Sequence, residues 1–155
     1  MERAAGRAFR DVGMPEIAGD EPIPDEVLGE YLRHGHAWVA VDPADAAGAP
    51  AAYLVAEPVD GALHVEQVSV HPRAARRGVG RALLDHAAEA AAGEGLAALT
   101  LTTFTEVPWN APYYERLGFR AVPRDELTPG LRAVVEREAA HGLDRWPRVV
   151  MRRPL

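Results

Sequence analysis

The chain has 155 residues, 48% of them hydrophobic, and a net charge of −6 at pH 7. This length and apolar content predict a single globular domain over residues 1–155 and exclude a disordered chain. Because the chain contains no cysteine, disulfides, thiolate metal ligands and a cysteine nucleophile are excluded, and we predict no metal site.

Charge and hydropathy also limit the partners and the location of the protein. An acidic chain is poorly suited to non-specific nucleic-acid binding, which depends on neutralising phosphates. No apolar run reaches the ~18 residues of a membrane span. The first residues, MERAAGRAFR, lack the apolar segment of a signal peptide. We therefore expect a cytoplasmic protein without nucleic-acid or membrane partners.

The first part of the chain predicts helices followed by one strand. Residues 2–10 are typical of the end of a helix, and residues 11–24 of a loop rich in proline and glycine. Residues 25–35 predict a short helix, because acidic residues occupy its first turn and a glycine follows its last one. The alternating pattern of AWVAVD, residues 37–42, predicts the first strand.

The middle of the chain predicts a hairpin followed by a strand, a helix and a strand. The segments AAYLVAEPV and ALHVEQVSVHP predict two strands joined at VDG, residues 59–61. A helix over residues 79–92 follows, since Leu83, Leu84, Ala87, Ala88 and Ala91 share one helical face. The apolar segment LAALTLTTF then predicts a strand. Strand, helix and strand in succession imply a right-handed crossover and a parallel pair.

The last part of the chain predicts two helices and two strands. NAPYYERLG is typical of a short helix and FRAV of a short strand. A longer helix over residues 128–142 has Thr128 at its N-cap, Pro129 at its first position and Gly142 at its end. PRVVMRR predicts the last strand. The whole order predicts a mixed α/β (α+β) fold, with a mostly antiparallel sheet flanked by helices.

The segment RRGVGRALL, residues 76–84, places arginine and glycine at the start of the middle helix. Free backbone N–H groups and the helix dipole make such a start suited to a phosphate, and arginines add charge-assisted hydrogen bonds. An ordinary strand-to-helix turn is the alternative. A Rossmann turn is excluded because Leu83 stands at its last glycine position, and a P-loop because the chain has no lysine.

Two segments resemble the signatures of one protein family. Residues 68–84, VSVHPRAARRGVGRALL, resemble motif A of the GNAT superfamily of acyl-CoA N-acyltransferases, a strand ending in V-x-P before [QR]-x-x-G-x-[GA]. Ala75 departs from this motif, which has Gln or Arg there, and Arg76 and Arg77 are candidates to replace its contact. Residues 110–119, NAPYYERLGF, resemble the family's N-x-x-A…Y-E-x-L-G-F signature.

The resemblance implies a coenzyme site. Acetyl-CoA, or coenzyme A, would have its pyrophosphate held by the glycine turn and its pantetheine arm held by strand backbone, in a gap between splayed central parallel strands. The implied contacts are Val68, Ser69, Val70, Arg76, Arg77, Gly78, Val79, Gly80, Arg81, Asn110 and Tyr114. Tyr114 would lie near the thioester sulfur and act as the catalytic acid.

The resemblance also implies the assembly and the order of strands. A homodimer is common in this family and is possible here. Family members typically begin with a strand, whereas this chain begins in a predicted helix. We therefore expect the first strand of the sheet to be missing from this sequence, which would leave an exposed sheet edge.

The implied reaction is direct transfer of an acetyl group to a primary amine of a small molecule or peptide. An alkylamine has a pKa near ~10 and must lose a proton before it attacks, so a general base is needed. Strand alternation places His64 and Glu66 on one face. We predict Glu66 as the base and His64 as the alternative, unless Glu66 faces solvent or pairs with an arginine. A catalytically weak module that senses acyl-CoA is the alternative function.

Overall fold

The computed structural model describes all 155 residues, Met1–Leu155. It contains six α-helices and six β-strands; five of the helices and all six strands follow the predicted order, and the short helix Pro15–Ala18 lies in a predicted loop. The helices are α1 (Glu2–Gly6), α2 (Pro15–Ala18), α3 (Asp25–Arg33), α4 (Val79–Gly93), α5 (Ala111–Arg116) and α6 (Pro129–Ala140). The strands are β1 (Ala37–Val41), β2 (Pro50–Val59), β3 (Ala62–Val70), β4 (Ala98–Phe104), β5 (Arg120–Val122) and β6 (Arg148–Pro154).

The strands form one six-stranded sheet with the order β1-β2-β3-β4-β6-β5. The pairs β1–β2, β4–β6 and β5–β6 are antiparallel, whereas β3 and β4, which are connected through α4, are parallel. A mixed, mostly antiparallel sheet flanked by helices confirms the predicted fold class. The parallel ladder covers Leu63–Val65 paired with Leu99–Leu101. The expected splay of these strands stays a prediction.

The chain divides into two compact units. The first contains Met1–Ala56 and Gln67–Ala87, and the second contains Glu57–Glu66 and Ala88–Leu155. The chain therefore passes from one unit to the other within β2, β3 and α4. The expectation of a single domain over residues 1–155 stays a prediction.

The N-terminal segment of the first unit is more helical than its sequence predicts. Helix α1 continues into a 3-10 helix over Arg7–Val12, and the predicted loop contains α2. Pro15 begins α2, a position that suits proline because the first helical N–H has no partner in any case. The Glu2 carboxylate accepts hydrogen bonds from the Ile23 N–H, at 3.2 Å, and from the Tyr53 hydroxyl. The expectation that the first strand of the sheet is missing from this sequence stays a prediction.

The core of the first unit contains the predicted apolar face of α4. Leu83, Leu84 and Ala87 are at most 5% exposed, and so are Leu54 and Val55 of β2. Ala91 is buried as well, whereas Ala88 is half-buried, so helical periodicity identified four buried residues among the five of the predicted face.

In the second unit, a tight turn at Asp60 and Gly61 connects β2 to β3. Their φ angles are 48° and 79°, as a type I′ hairpin turn requires. The Asp60 carboxylate accepts a hydrogen bond of 2.7 Å from the N–H of Gly130 in the first turn of α6. Thr128 caps the same helix, since its Oγ1 accepts from the Leu131 N–H at 3.4 Å. The predicted N-cap is therefore confirmed.

Within the second unit, helix α6 makes both an apolar and a charged contact with its neighbours. Leu127, Leu131 and Val150 form a buried cluster, with Val59, Val122 and Val135 packed against it. Near the other end of α6, Glu138 lies 3.3 Å from the Arg148 guanidinium of β6. None of the helices has the length and apolar character needed to cross a membrane.

Candidate active site

The glycine turn of the first unit leads from β3 into α4. A 3-10 helix over Pro72–Ala74 precedes it, and the turn itself holds Arg76 at φ 60° and Gly78 at φ 79°. A positive φ costs a non-glycine residue energy, whereas glycine adopts it freely, so Gly78 suits its position and Arg76 is strained. Such strain in a loop before a helix is typical of a functional segment.

The start of α4 offers unpaired backbone donors. The Gly78 carbonyl oxygen accepts a hydrogen bond from the Ala82 N–H at 3.0 Å. The amides of Val79, Gly80 and Arg81 precede this bond and have no acceptor within the helix. Three N–H groups at the positive end of a 15-residue helix provide a place for a phosphate.

The three arginines of this turn have different surroundings. Arg77 Nη1 lies 3.1 Å from Asp42 Oδ2, and Arg81 Nε lies 3.6 Å from Asp85 Oδ2. A hydrogen bond from the Ala44 N–H, and then the Arg77 guanidinium, hold the pKa of Asp42 below its usual range. Arg76 is exposed. A bound anion would therefore share Arg77 with a carboxylate.

The strand residues predicted to hold the pantetheine arm differ in burial. Ser69 is 4% exposed, whereas Val68 and Val70 are half-buried. The Val68 and Val70 side chains are thus more accessible than the serine between them. Their predicted backbone contacts with a coenzyme stay a prediction.

Asn110 and Tyr114 lie at the two ends of one helical turn in the second unit. The Asn110 carbonyl oxygen accepts a hydrogen bond from the Tyr114 N–H at 3.0 Å. The Asn110 side chain does not cap α5, and its Oδ1 is buried without a hydrogen-bond partner. A buried amide oxygen normally has a donor, so this atom is suited to a donor group of a ligand.

The Tyr114 ring is buried between two aromatic neighbours. Its centroid lies 5.4 Å from that of Tyr113 and 5.7 Å from that of Phe119. Burial, and then the neighbouring Tyr113 hydroxyl, raise the pKa of Tyr114 above its ordinary value. The Tyr114 hydroxyl therefore stays protonated at neutral pH and can donate a hydrogen bond.

Glu66 is the most perturbed carboxyl of the second unit. Its side chain is 21% exposed, and its Oε1 is buried without a hydrogen-bond partner, 3.9 Å from Arg137 Nη2. Burial and then the neighbouring Glu57 carboxylate raise the pKa of Glu66 to about 8, against the opposing effect of Arg137. Glu66 thus does not face open solvent, and its pairing with arginine is long. A carboxyl of this kind is typical of a general base.

His64, the alternative base, lies two residues away and is 1% exposed. Its Nδ1 lies 2.9 Å from the Thr100 hydroxyl oxygen, and burial lowers its pKa to about 4. Such an imidazole is a weaker base than a carboxylate of pKa about 8. The choice of Glu66 over His64 as the base stays a prediction.

Sequence reasoning missed the neighbours that set the pKa of Glu66. Glu57 lies on the other strand of a hairpin with a two-residue turn, so the hairpin pattern was a signal that could have found it. Arg137 and Glu138 lie on α6, far along the chain, and no local pattern connects them with Glu66.

The comparisons with known proteins identify the class to which this chain belongs. The model of the Acetyltransferase (GNAT) family matches residues 7–119. The chain therefore belongs to the GNAT acetyltransferase family.

Several solved structures share the fold. N-acetylglutamate synthase from Neisseria gonorrhoeae, in complex with coenzyme A and N-acetyl-glutamate, has a TM-score of 0.67 and 16% identity over 97% of this chain and 32% of its own. The present chain thus spans about a third of that enzyme. The ribosomal-protein-S18-alanine N-acetyltransferase from Escherichia coli has a TM-score of 0.59 and 19% identity, covering 88% of this chain and 79% of its own.

A third structure, the NatC complex bound to Gag peptide and coenzyme A, has a TM-score of 0.66 and 15% identity. The match covers 98% of the present chain and 91% of that chain. At these identities the likeness concerns the fold alone.

Proposed function

We propose that this protein transfers an acetyl group from acetyl-CoA directly to a primary amine of a small molecule or peptide. Glu66 carries the proposal, because its half-buried carboxyl has a buried oxygen without a hydrogen-bond partner and a pKa raised to about 8. Membership in the GNAT family and the coenzyme A bound in two related structures support the choice of cosubstrate.

The coenzyme contacts follow from the unpaired groups. The amides of Val79, Gly80 and Arg81 bind the pyrophosphate, because they are donors without helical acceptors. Asn110 Oδ1 accepts a hydrogen bond from the coenzyme, which satisfies this buried oxygen. When bound, acetyl-CoA supplies the acetyl group as a thioester.

Glu66 prepares the acceptor for attack. Its carboxylate takes a proton from the ammonium group, and the free amine then attacks the thioester carbonyl carbon. A nitrogen–carbon bond forms, the carbon–sulfur bond breaks, and the second proton shed by nitrogen neutralises the sulfur. A pKa of about 8 suits this task, since such a base is partly deprotonated at neutral pH and still holds a proton well.

Tyr114 assists the leaving group as a hydrogen-bond donor. A thiol has a pKa of about 8.5, well below that of a buried tyrosine whose pKa is raised above ~10, so complete proton transfer from Tyr114 to sulfur is uphill. A hydrogen bond from the phenol still stabilises the negative charge that develops on sulfur. The predicted acid role of Tyr114 is therefore proposed in this restricted form.

The test measures thiol release from acetyl-CoA with a panel of amino acids, polyamines and peptide N-termini. We expect turnover with at least one amine, a loss of roughly 100-fold in kcat for Glu66→Gln, and little change for the exposed Glu136→Gln control. Coenzyme A should raise the Tm of wild type and both variants.

Two results would contradict the proposal. A Tm raised by coenzyme A without thiol release from any amine would instead indicate a module that senses acyl-CoA. If coenzyme A left the Tm of all three proteins unchanged, the protein would have no coenzyme site.

A further inference from the structure

Four side chains form a row across four strands of the second unit. The strand registers pair His64 of β3 with Thr100 of β4, Thr100 with Arg152 of β6, and Arg152 with Arg120 of β5. Residues paired across a ladder project from the same face of a sheet. The 2.9 Å distance between His64 Nδ1 and Thr100 Oγ1 agrees with this arrangement.

The outer end of the row places two positive charges opposite each other. Arg120 and Arg152 are directly paired in the β5–β6 ladder, and like charges at such positions destabilise a sheet. Arg120 Nη1 donates to the carbonyl oxygens of Glu115, at 3.1 Å, and Phe119, at 2.8 Å. Neither guanidinium has a carboxylate within ion-pair distance. The two charges are therefore not neutralised within the protein.

Arg120 and Arg152 both line a cavity of about 440 Å³, a volume in the range of small-molecule sites. Thr100, at the centre of the row, also lines the cavity, and Val122 and Leu131 contribute apolar wall. The lining thus combines two arginines that have no ion-pair partner, two acidic residues, Asp60 and Glu126, and an apolar surface.

We propose that this cavity binds a small monocarboxylate, with its carboxylate between Arg120 and Arg152 and its short hydrocarbon part against Val122 and Leu131. A guanidinium matches a carboxylate in geometry, and one carboxylate between the two arginines removes their repulsion. Asp60, whose carboxylate accepts from the Gly130 N–H, and Glu126 also line the cavity, so a second carboxylate on the ligand would meet like charges. The site therefore favours one negative charge.

The test is a titration with butyrate in which binding is monitored through the NMR signals of the Thr100 amide and the His64 ring. Butyramide, which has the same shape without the charge, and sodium chloride at equal ionic strength serve as ligand controls. We expect saturable shifts with butyrate only, at least tenfold weaker binding by Arg152→Gln, and unchanged binding by Arg132→Gln on the exposed side of α6.

Three results would overturn the assignment. Equal shifts with butyramide would show that the charge of the ligand does not contribute to binding. Unchanged binding by Arg152→Gln would show that the arginine pair does not bind the ligand. Tighter binding of inorganic phosphate than of butyrate would show that the site does not select a carboxylate.

The repulsion between Arg120 and Arg152 has its own test. Ligand-free Arg152→Gln should have a Tm no lower than that of wild type, and a lower Tm would contradict the repulsion.

Discussion

Glu66 takes its proposed role from surroundings that two other elements provide. The turn-connected strand β2 contributes Glu57, and α6 contributes Arg137 and Glu138. Strand alternation was sufficient to place Glu66 on one face with His64 and to select it as a candidate. Its raised pKa was beyond sequence reasoning, because burial and charged neighbours are set by the packing of distant segments.

Tyr114 offers the sharpest test at the scale of one residue. Tyr114→Phe keeps the ring that packs against Tyr113 and Phe119 and removes only the hydroxyl. We expect kcat to fall roughly 100-fold, as for loss of one donor to a developing negative charge, with little change in the affinity for acetyl-CoA.

Steady-state kinetics and the rise in Tm caused by coenzyme A measure these two effects separately. Tyr113→Phe on the same helix is the matched control and should retain most of the activity. An unchanged kcat in Tyr114→Phe would exclude the donor role.

At the scale of elements, the first turn of α6 lies in close contact with the β2–β3 turn. Gly130 lies beside the β2–β3 turn, and a Cβ at this position would come within 2.6 Å of Asp60 Oδ2 and Val59 Cγ1. Thr128 and Pro129 predicted the start of α6 from sequence alone. The contact with Asp60 was not predictable, because it depends on where the hairpin lies against the helix.

Gly130→Ala should therefore destabilise the protein, although alanine is the better helix former. We expect a loss of roughly 1–3 kcal/mol in the free energy of unfolding, as for other overpacked sites. Gly93→Ala is the control, since a Cβ there meets no atom within 4 Å and should be neutral or stabilising. Urea denaturation measures both variants, and equal stability of the two would refute the close approach.

At the scale of the whole molecule, Glu66 and His64 affect the pH dependence of stability with opposite signs. The folded protein raises the pKa of Glu66 from 4.5 to about 8, so it binds this proton more tightly than the unfolded chain does. Stability from Glu66 is thus complete below pH 4.5 and is lost as pH rises towards 8. His64, whose pKa falls from 6.5 to about 4, contributes stability that is lost as pH falls through this range.

The two effects oppose each other below pH 6.5, and only that of Glu66 remains above it. We expect the free energy of unfolding to fall between pH 6.5 and 8 by up to about 1 kcal/mol per pH unit more in wild type than in Glu66→Gln. Urea denaturation across this range measures the difference, with Glu136→Gln as control. Parallel curves for wild type and Glu66→Gln would mean that Glu66 has an ordinary pKa.

The sequence by itself determined the order and type of the main elements, the family and the candidate turn, because each depends on residues close together in the chain. The N-terminal helices were only partly predicted, since proline and glycine dominate that local pattern while tertiary contacts of Glu2 help to order the segment. Tertiary structure alone decided which charges surround Glu66 and that Arg120 faces Arg152. Both follow from strand register and from the packing of α6, which bring together residues that no local period relates.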